Sequence, residues 1–127
     1  MKKYALFYGT LRRGEPNFNR FKWQTYIQTL KLKGYELYDC IVPIIVEGEG
    51  SIIVELHALT NSADKKIRLM EIGAGYKEQK LRIGDKLASL YIYDKRYLPY
   101  IDSRKIESGD WVKYNKALNQ RIDCFGA

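Results

Sequence analysis

Sulfur and imidazole are scarce in this chain of 127 residues: two cysteines, Cys40 and Cys124, lie far apart without a Cys-x-x-Cys spacing, and His57 is the single histidine. No nitrogen and sulfur ligand set can be assembled from so few groups, which argues against a structural metal and against a disulfide framework. Long apolar runs are also missing. After Lys2-Lys3 the first such run reaches only to Gly9 before Arg12-Arg13, too short for a secretory core or a membrane span. The chain is therefore expected to be cytoplasmic, with reduced thiols and no membrane association. Basic residues outnumber acidic ones by 22 to 15, a formal charge of +7, yet no run of five or six like charges occurs. Scattered charge of this kind predicts a solvated surface, with an anion-attracting face as the alternative, and no specific nucleic-acid partner. Internal repeats and low-complexity linkers are absent as well.

What is present is enough apolar and aromatic material for one core. Hydrophobic residues make up 46% of the chain and tyrosine alone contributes 11 residues, so ordering entropy can be offset within a single domain spanning 1–127. Lys3 to Tyr8 reads as a buried first strand, and Gly14 to Gln24 as an irregular or briefly helical connection. Thr25 to Tyr38 alternates as extended structure interrupted at Gly34. Ile41–Val46 and Ser51–Leu59 are expected to form a hairpin across Glu47-Gly48-Glu49-Gly50, with Val54, Leu56 and Ala58 facing the core. A helix over 62–72 follows, capped by Asn61 or Ser62 and ended by Gly73 and Gly75. Tyr76–Ile83 and Lys86–Tyr93 pair across Gly84-Asp85. Asp94 to Ile106 reads as a loop packing back on the sheet, and Ser108-Gly109-Asp110-Trp111 opens a last amphipathic helix to about Gln120. Strand runs around one long helix, without βαβ alternation, predict an α+β domain with a mixed or barrel-like sheet.

Two features carry chemistry. Tyr8-Gly9-Thr10-Leu11-Arg12-Arg13-Gly14-Glu15-Pro16-Asn17 leaves the first strand through a small-residue turn whose backbone N–H groups can converge on an anion. The spacing Gly9-x4-Gly14 mimics a phosphate loop, but Glu15-Pro16 stands where lysine and Ser/Thr belong, which disfavours nucleotide hydrolysis. A plain tight turn is the alternative. Glu71 sits late on the predicted helix, where the dipole is unfavourable for an anion and the glycines that follow give no cover. A raised pKa there suits a group that accepts and returns a proton near neutrality. Its alternative is a solvated glutamate paired with Lys66 or Arg68. His57 shares a strand face with Glu55 and has no catalytic partner at a recognisable spacing, so a structural or surface role is expected. Cys40 and Cys124 read as buried structural thiols, and the pairs Tyr91/Tyr93 and Tyr97/Tyr100 as core and pocket packing.

The opening motif resembles that of the γ-glutamylcyclotransferase-like family, especially its γ-glutamylamine cyclotransferase branch. Gly34-Tyr35-Glu36-Leu37-Tyr38-Asp39, Val42-Pro43, Val54-Glu55-Leu56, Leu69-Met70-Glu71, Tyr76 and Ser108-Gly109-Asp110-Trp111 fall in the family's order, so the resemblance spans nearly the whole chain. It implies a small mixed β-barrel with one main interior helix. It also implies a substrate-binding loop at Tyr8, Gly9, Thr10 and Leu11, and a proton acceptor at Glu71. The implied reaction is attack of a γ-glutamyl α-amine on its own γ-carbonyl, releasing 5-oxoproline and a free amine, with no cofactor and no metal. Three departures bear on substrate identity. Arg68 stands where the family commonly has aspartate, Ile72 intervenes before the glycine, and the Gly-Glu-Leu-Tyr pattern becomes Val54-Glu55-Leu56-His57. A catalytically silent member, binding a small anion or a partner through the same pocket, is the competing reading. The position of Glu71 relative to the Tyr8–Leu11 loop discriminates the two.

Overall fold

The first strand, β1 (Lys3–Phe7), buries Ala5, Leu6 and Phe7 in succession, which only a central strand covered on both faces can do. In the computed structural model, which describes residues 2–15, 18 and 24–126, with side chains to residue 118, β1 lies between two neighbours. It runs antiparallel to β3 (Val42–Leu59), with Phe7 opposite Glu55, and parallel to β5 (Lys86–Ile92). With β2 (Gln24–Cys40), β4 (Lys77–Ile83) and the short β6 (Arg104–Lys105), these form one mixed sheet in the order β4-β5-β1-β3-β2-β6, curled into a half-barrel. The α+β expectation is met.

Side-chain alternation along β1 divides the interior in two. Leu6 joins Leu56, Val54, Ile52, Ala88, Leu90 and Trp111 inside the curl, while Ala5 and Phe7 pack with Leu11, Leu59, Ala63, Ile67 and Tyr91 on the other face. The second cluster is where helix α1 (Asn61–Gly73) docks, through Ala63 and Ile67. The cap is Thr60 rather than Asn61 or Ser62; its hydroxyl accepts the Ala63 N–H at 3.1 Å. Helix α2 (Trp111–Gly126) runs beyond the expected end at Gln120.

The expected turn at Glu47-Gly48-Glu49-Gly50 does not exist. β3 runs straight through it, and β2 and β3 form one long ribbon that turns at Ile41, with Cys40 paired to Val42. The register instead shifts there: Lys33 faces Ser51 and Tyr35 faces Glu47, with Gly34 at φ 97°. A Cβ on Gly48 would meet the Glu36 side chain, and one on Gly50 would press on the Tyr35 carbonyl. Gly50 thus serves close backbone approach at a bulge and Gly48 leaves room for the Glu36 side chain, uses that local composition does not distinguish from a turn. Extended structure likewise continues through Gly34. The Gly84-Asp85 hairpin is present as expected, with Gly84 at φ 62°. The connection expected over Gly14 to Gln24 lies mostly outside the described residues.

After β5 a 3-10 helix (Lys95–Tyr100) and β6 return the chain along β2, where the Ile106 N–H donates to the Leu37 carbonyl at 2.8 Å. Of the tyrosines there, Tyr97 and Tyr100 are exposed rather than packed in the core. Gly109 then lies against β3: its carbonyl accepts the Ile53 N–H at 2.8 Å, and a Cβ on it would strike the Ser51 carbonyl. Gly109 also has φ 68°, so Gly109→Ala combines a backbone clash with a disfavoured conformation. The substitution is expected to cost roughly 2–4 kcal/mol in urea unfolding. A loss below about 0.5 kcal/mol, the range of ordinary surface changes, would show that α2 does not depend on this contact.

Candidate active site

Because β1 is central, its carboxyl end opens into the middle of the sheet edge rather than at a corner. The chain leaves it through a tight turn in which the Arg12 N–H donates to the Gly9 carbonyl at 3.0 Å. Gly9 packs directly on the Pro43 ring, and a Cβ at residue 9 would overlap it. The residue type here is dictated by close approach. Tyr8 is buried and its hydroxyl donates to the Tyr91 carbonyl at 2.8 Å, tying the strand end to β5.

A pocket of about 400 Å³ opens at this point, a size suited to a small molecule. Tyr8, Gly9, Thr10 and Leu11 form one wall; Cys40, Val42 and Pro43 from the ribbon tip form a second. Met70, Glu71 and Ala74 from the end of α1 close a third side, and Tyr76, Tyr91 and Tyr93 complete it. The Tyr76 hydroxyl donates to the Pro43 carbonyl at 2.8 Å, pinning the ribbon tip to the segment after α1. Thus the first-strand loop and the lone acid, 60 residues apart in sequence, line one cavity. Glu71 is the one carboxylate among the described lining residues, and they include no lysine or arginine.

Burial in this largely apolar cavity raises the Glu71 carboxyl from its ordinary 4.5 to about 7. Sequence reasoning placed the cause in the helix dipole; the structure places it in desolvation. Of the alternative pairings of Glu71 with Lys66 or Arg68, the one with Arg68 does not form, because Arg68 turns to Glu78 at 3.0 Å and to Asp64 at 3.3 Å. Burial, reinforced by the Glu71 charge, raises the Tyr76 phenol as well. Tyr8 is raised by burial first, then by Tyr76 and Glu71. Both hydroxyls therefore stay protonated as hydrogen-bond donors at neutral pH.

Glu55, the other acid of the motif-bearing region, is absent from the lining. It is buried with His57 on β3, on the face opposite Val54 and Leu56, so β3 is covered on both sides there. One oxygen accepts from Arg12 Nε at 3.0 Å; the other accepts the Arg13 N–H and meets His57 Nε2, each at 3.0 Å. Burial pushes the Glu55 carboxyl up, but the bonds from His57, Arg13 and Arg12 outweigh it and hold it at about 2. Arg12 continues to Asp110 Oδ1 at 2.8 Å. Sequence reasoning missed this cluster, whereas Tyr91 and Tyr93, expected in core and pocket packing, do line the cavity beside Tyr76. An acid and a histidine alternating inside an otherwise apolar strand were the available signal. Among the described residues no group of three or more His, Cys, Asp or Glu is arranged to hold a metal ion. No described helix is long and apolar enough to cross a membrane. Cys40 is half-buried in the pocket wall; Cys124 falls beyond the described side chains.

A half-barrel with a glycine turn at the end of its central strand and an acid across the cavity defines a recognisable class. The chain belongs to the gamma-glutamyl cyclotransferase, AIG2-like family, whose model matches residues 5–113. Among its relatives is the Pyrococcus horikoshii protein PH0828, which carries a provisional gamma-glutamylcyclotransferase name. It is 29% identical over 104 residues, 82% of this chain and 86% of the relative. The PH0828 crystal structure superposes with a TM-score of 0.79 at 26% identity, covering 93% of this chain and 97% of that one. The solution structure of Escherichia coli ytfP shares the fold, with a TM-score of 0.70, 22% identity, and 88% and 98% of the two chains covered. A structure named gamma-glutamyl cyclotransferase shares it more distantly, with a TM-score of 0.56 at 10% identity over 83% of this chain and 70% of that one.

The raised Glu71 pKa has a stability consequence of definite sign. Between 4.5 and about 7 the folded protein holds a proton that the unfolded chain has released, so stability falls as pH rises through this window. Above it the full cost of a buried charge is present. Glu71→Gln is therefore expected to be more stable than wild type at pH 8, by roughly 1–3 kcal/mol, with no gain at pH 4. Equal denaturation midpoints at pH 8 would mean that the carboxylate is solvated.

Proposed function

We propose that this pocket converts a γ-glutamyl compound into 5-oxoproline and a free amine. The reading is carried by one observation: a carboxyl poised near neutrality shares a small, largely apolar cavity with the turn that ends β1. In this reaction the substrate's α-amine attacks its own γ-carbonyl carbon. The new C–N bond closes a five-membered lactam, and the bond to the original amine breaks. Nucleophile and electrophile belong to one molecule, so the protein's task is to fold the glutamyl chain into attack geometry, and no cofactor is called for.

Glu71 takes the proton from the attacking amine and returns it to the departing one, which a carboxyl titrating near 7 can do in both directions. Backbone N–H groups of Gly9 to Leu11 hold the polarised oxygens of the glutamyl group, and the water-poor cavity strengthens that stabilisation. The Tyr76 and Tyr91 rings shape the space beside the bond that breaks. The described lining offers no cation for a second carboxylate, so the preferred leaving amine is uncharged and apolar rather than a peptide with a free C-terminus.

The test is incubation with γ-glutamyl alkylamines and γ-glutamyl dipeptides, with 5-oxoproline read by mass. Wild type should release it, faster from the alkylamines, and kcat/KM should rise through about pH 7 as Glu71 ionises. Glu71→Gln keeps the shape but accepts no proton, and should lose about 10² or more in turnover along with the pH inflection. Equal rates for the two proteins would remove Glu71 from the chemistry. A wild type that releases nothing from any of the compounds would remove the reaction.

A further inference from the structure

Outside the pocket, buried Arg12, Glu55 and His57 form a polar cluster with the partly exposed Asp110, which the proposed chemistry does not use. We propose that Glu55 is a positioning residue that holds the Tyr8–Leu11 turn in its binding conformation by clamping the two arginines immediately after it; this rests on the reading of the pocket as a γ-glutamyl site. Glu55 is 3% exposed and sits on β3 directly opposite Phe7, the last residue of β1. Its two oxygens grip the arginine side chain of residue 12 and the backbone N–H of residue 13, both at 3.0 Å. The Arg12 N–H in turn closes the turn onto the Gly9 carbonyl.

Every other contact of the cluster aims the clamp. Arg12 NH1 reaches Asp110 at the start of α2, so one guanidinium bridges β3 and α2. His57 lies between the rings of Phe7, Phe18 and Tyr26, with centroids 5.0, 6.0 and 5.7 Å away, and presents Nε2 to Glu55. Its Nδ1 is buried without a hydrogen-bond partner among the described residues, so the imidazole's polar contact is spent on Glu55. The Arg13 guanidinium stacks 3.4 Å from the Tyr26 ring centroid. A carboxylate bonded on both oxygens inside low-dielectric surroundings allows its partners little choice of position.

Glu55→Gln keeps the volume but turns an amide N–H₂ toward a donor, while Glu55→Asp keeps the charge on a shorter arm. In the ligand-free protein, amide exchange at Arg12 reports the turn itself, since that N–H bonds to Gly9 and not to residue 55. It should quicken about tenfold or more in Glu55→Gln, with β4 and β5 still protected. On a substrate that wild type turns over, KM should rise about tenfold while kcat moves less than about threefold and the inflection near pH 7 stays, because Glu71 is untouched. Glu55→Asp should recover part of both effects. If Glu55→Gln does not fold, Arg12→Lys carries the same two readouts, because a lysine cannot reach Glu55 and Asp110 together. Unchanged Arg12 exchange in a folded variant, or a fall in kcat matching the rise in KM, would overturn the positioning role. A wild type inert to γ-glutamyl compounds would overturn the reaction alone, and the exchange measurement would still decide whether Glu55 sets the turn.

Discussion

The hydrogen-bonded placement of β1 between an antiparallel and a parallel neighbour is the constraint on which the rest of the molecule depends. A central strand must be apolar on both faces, and Ala5, Leu6 and Phe7 satisfy that requirement. It divides the interior into the core inside the curl and the one beneath α1. It also brings the chain out at Tyr8, beside the ribbon tip and the end of α1. An edge position for the same five residues would leave the glycine turn facing solvent, with no acid opposite it.

Two glutamates show how environment rather than identity assigns a role. Glu55 is buried and Glu71 half-buried in the pocket wall, yet one is held at about 2 and the other raised to about 7. The difference is partners: Glu55 receives hydrogen bonds from His57, Arg13 and Arg12, while burial acts on Glu71 unopposed. The first is a fixed charge that organises its neighbours, and the second can change its protonation state near neutrality. Arg68 is arranged consistently with this division. It lies three residues before Glu71 but binds Asp64 and Glu78, so its guanidinium does not serve to stabilise the ionised form of that acid.

Much of this was legible in the chain. The opening run into Gly9, the helix up to Glu71 and the Gly84-Asp85 hairpin carry local signals that tertiary structure did not override, and the family resemblance supplied their mutual arrangement. The ribbon was misread because Gly48 and Gly50 look like turn residues, whereas their use depends on Glu36 and Tyr35 across the strand pair. Nothing near residues 47–50 reports that contact. The burial of Glu55 and His57 is not legible from alternation, which marks only the Val54 and Leu56 face as core, because β3 is covered on both sides where β1 and the arginine loop overlie it. The pocket's tyrosines come from three segments whose convergence is a property of the sheet order alone.

The bonds that fix the end of β1 and the loop after it join residues far apart along the chain. Tyr8 to Tyr91 spans 83 positions, Arg12 to Asp110 spans 98, and Glu15 to Trp111 spans 96. The β2 and β3 ribbon, by contrast, zips from a local turn. Closing long loops costs entropy before any contact repays it, so the ribbon closes at lower entropic cost than the cavity, which needs the distant β5 in place. A chain that has made the ribbon but not these distant closures therefore holds ordered secondary structure and no cavity.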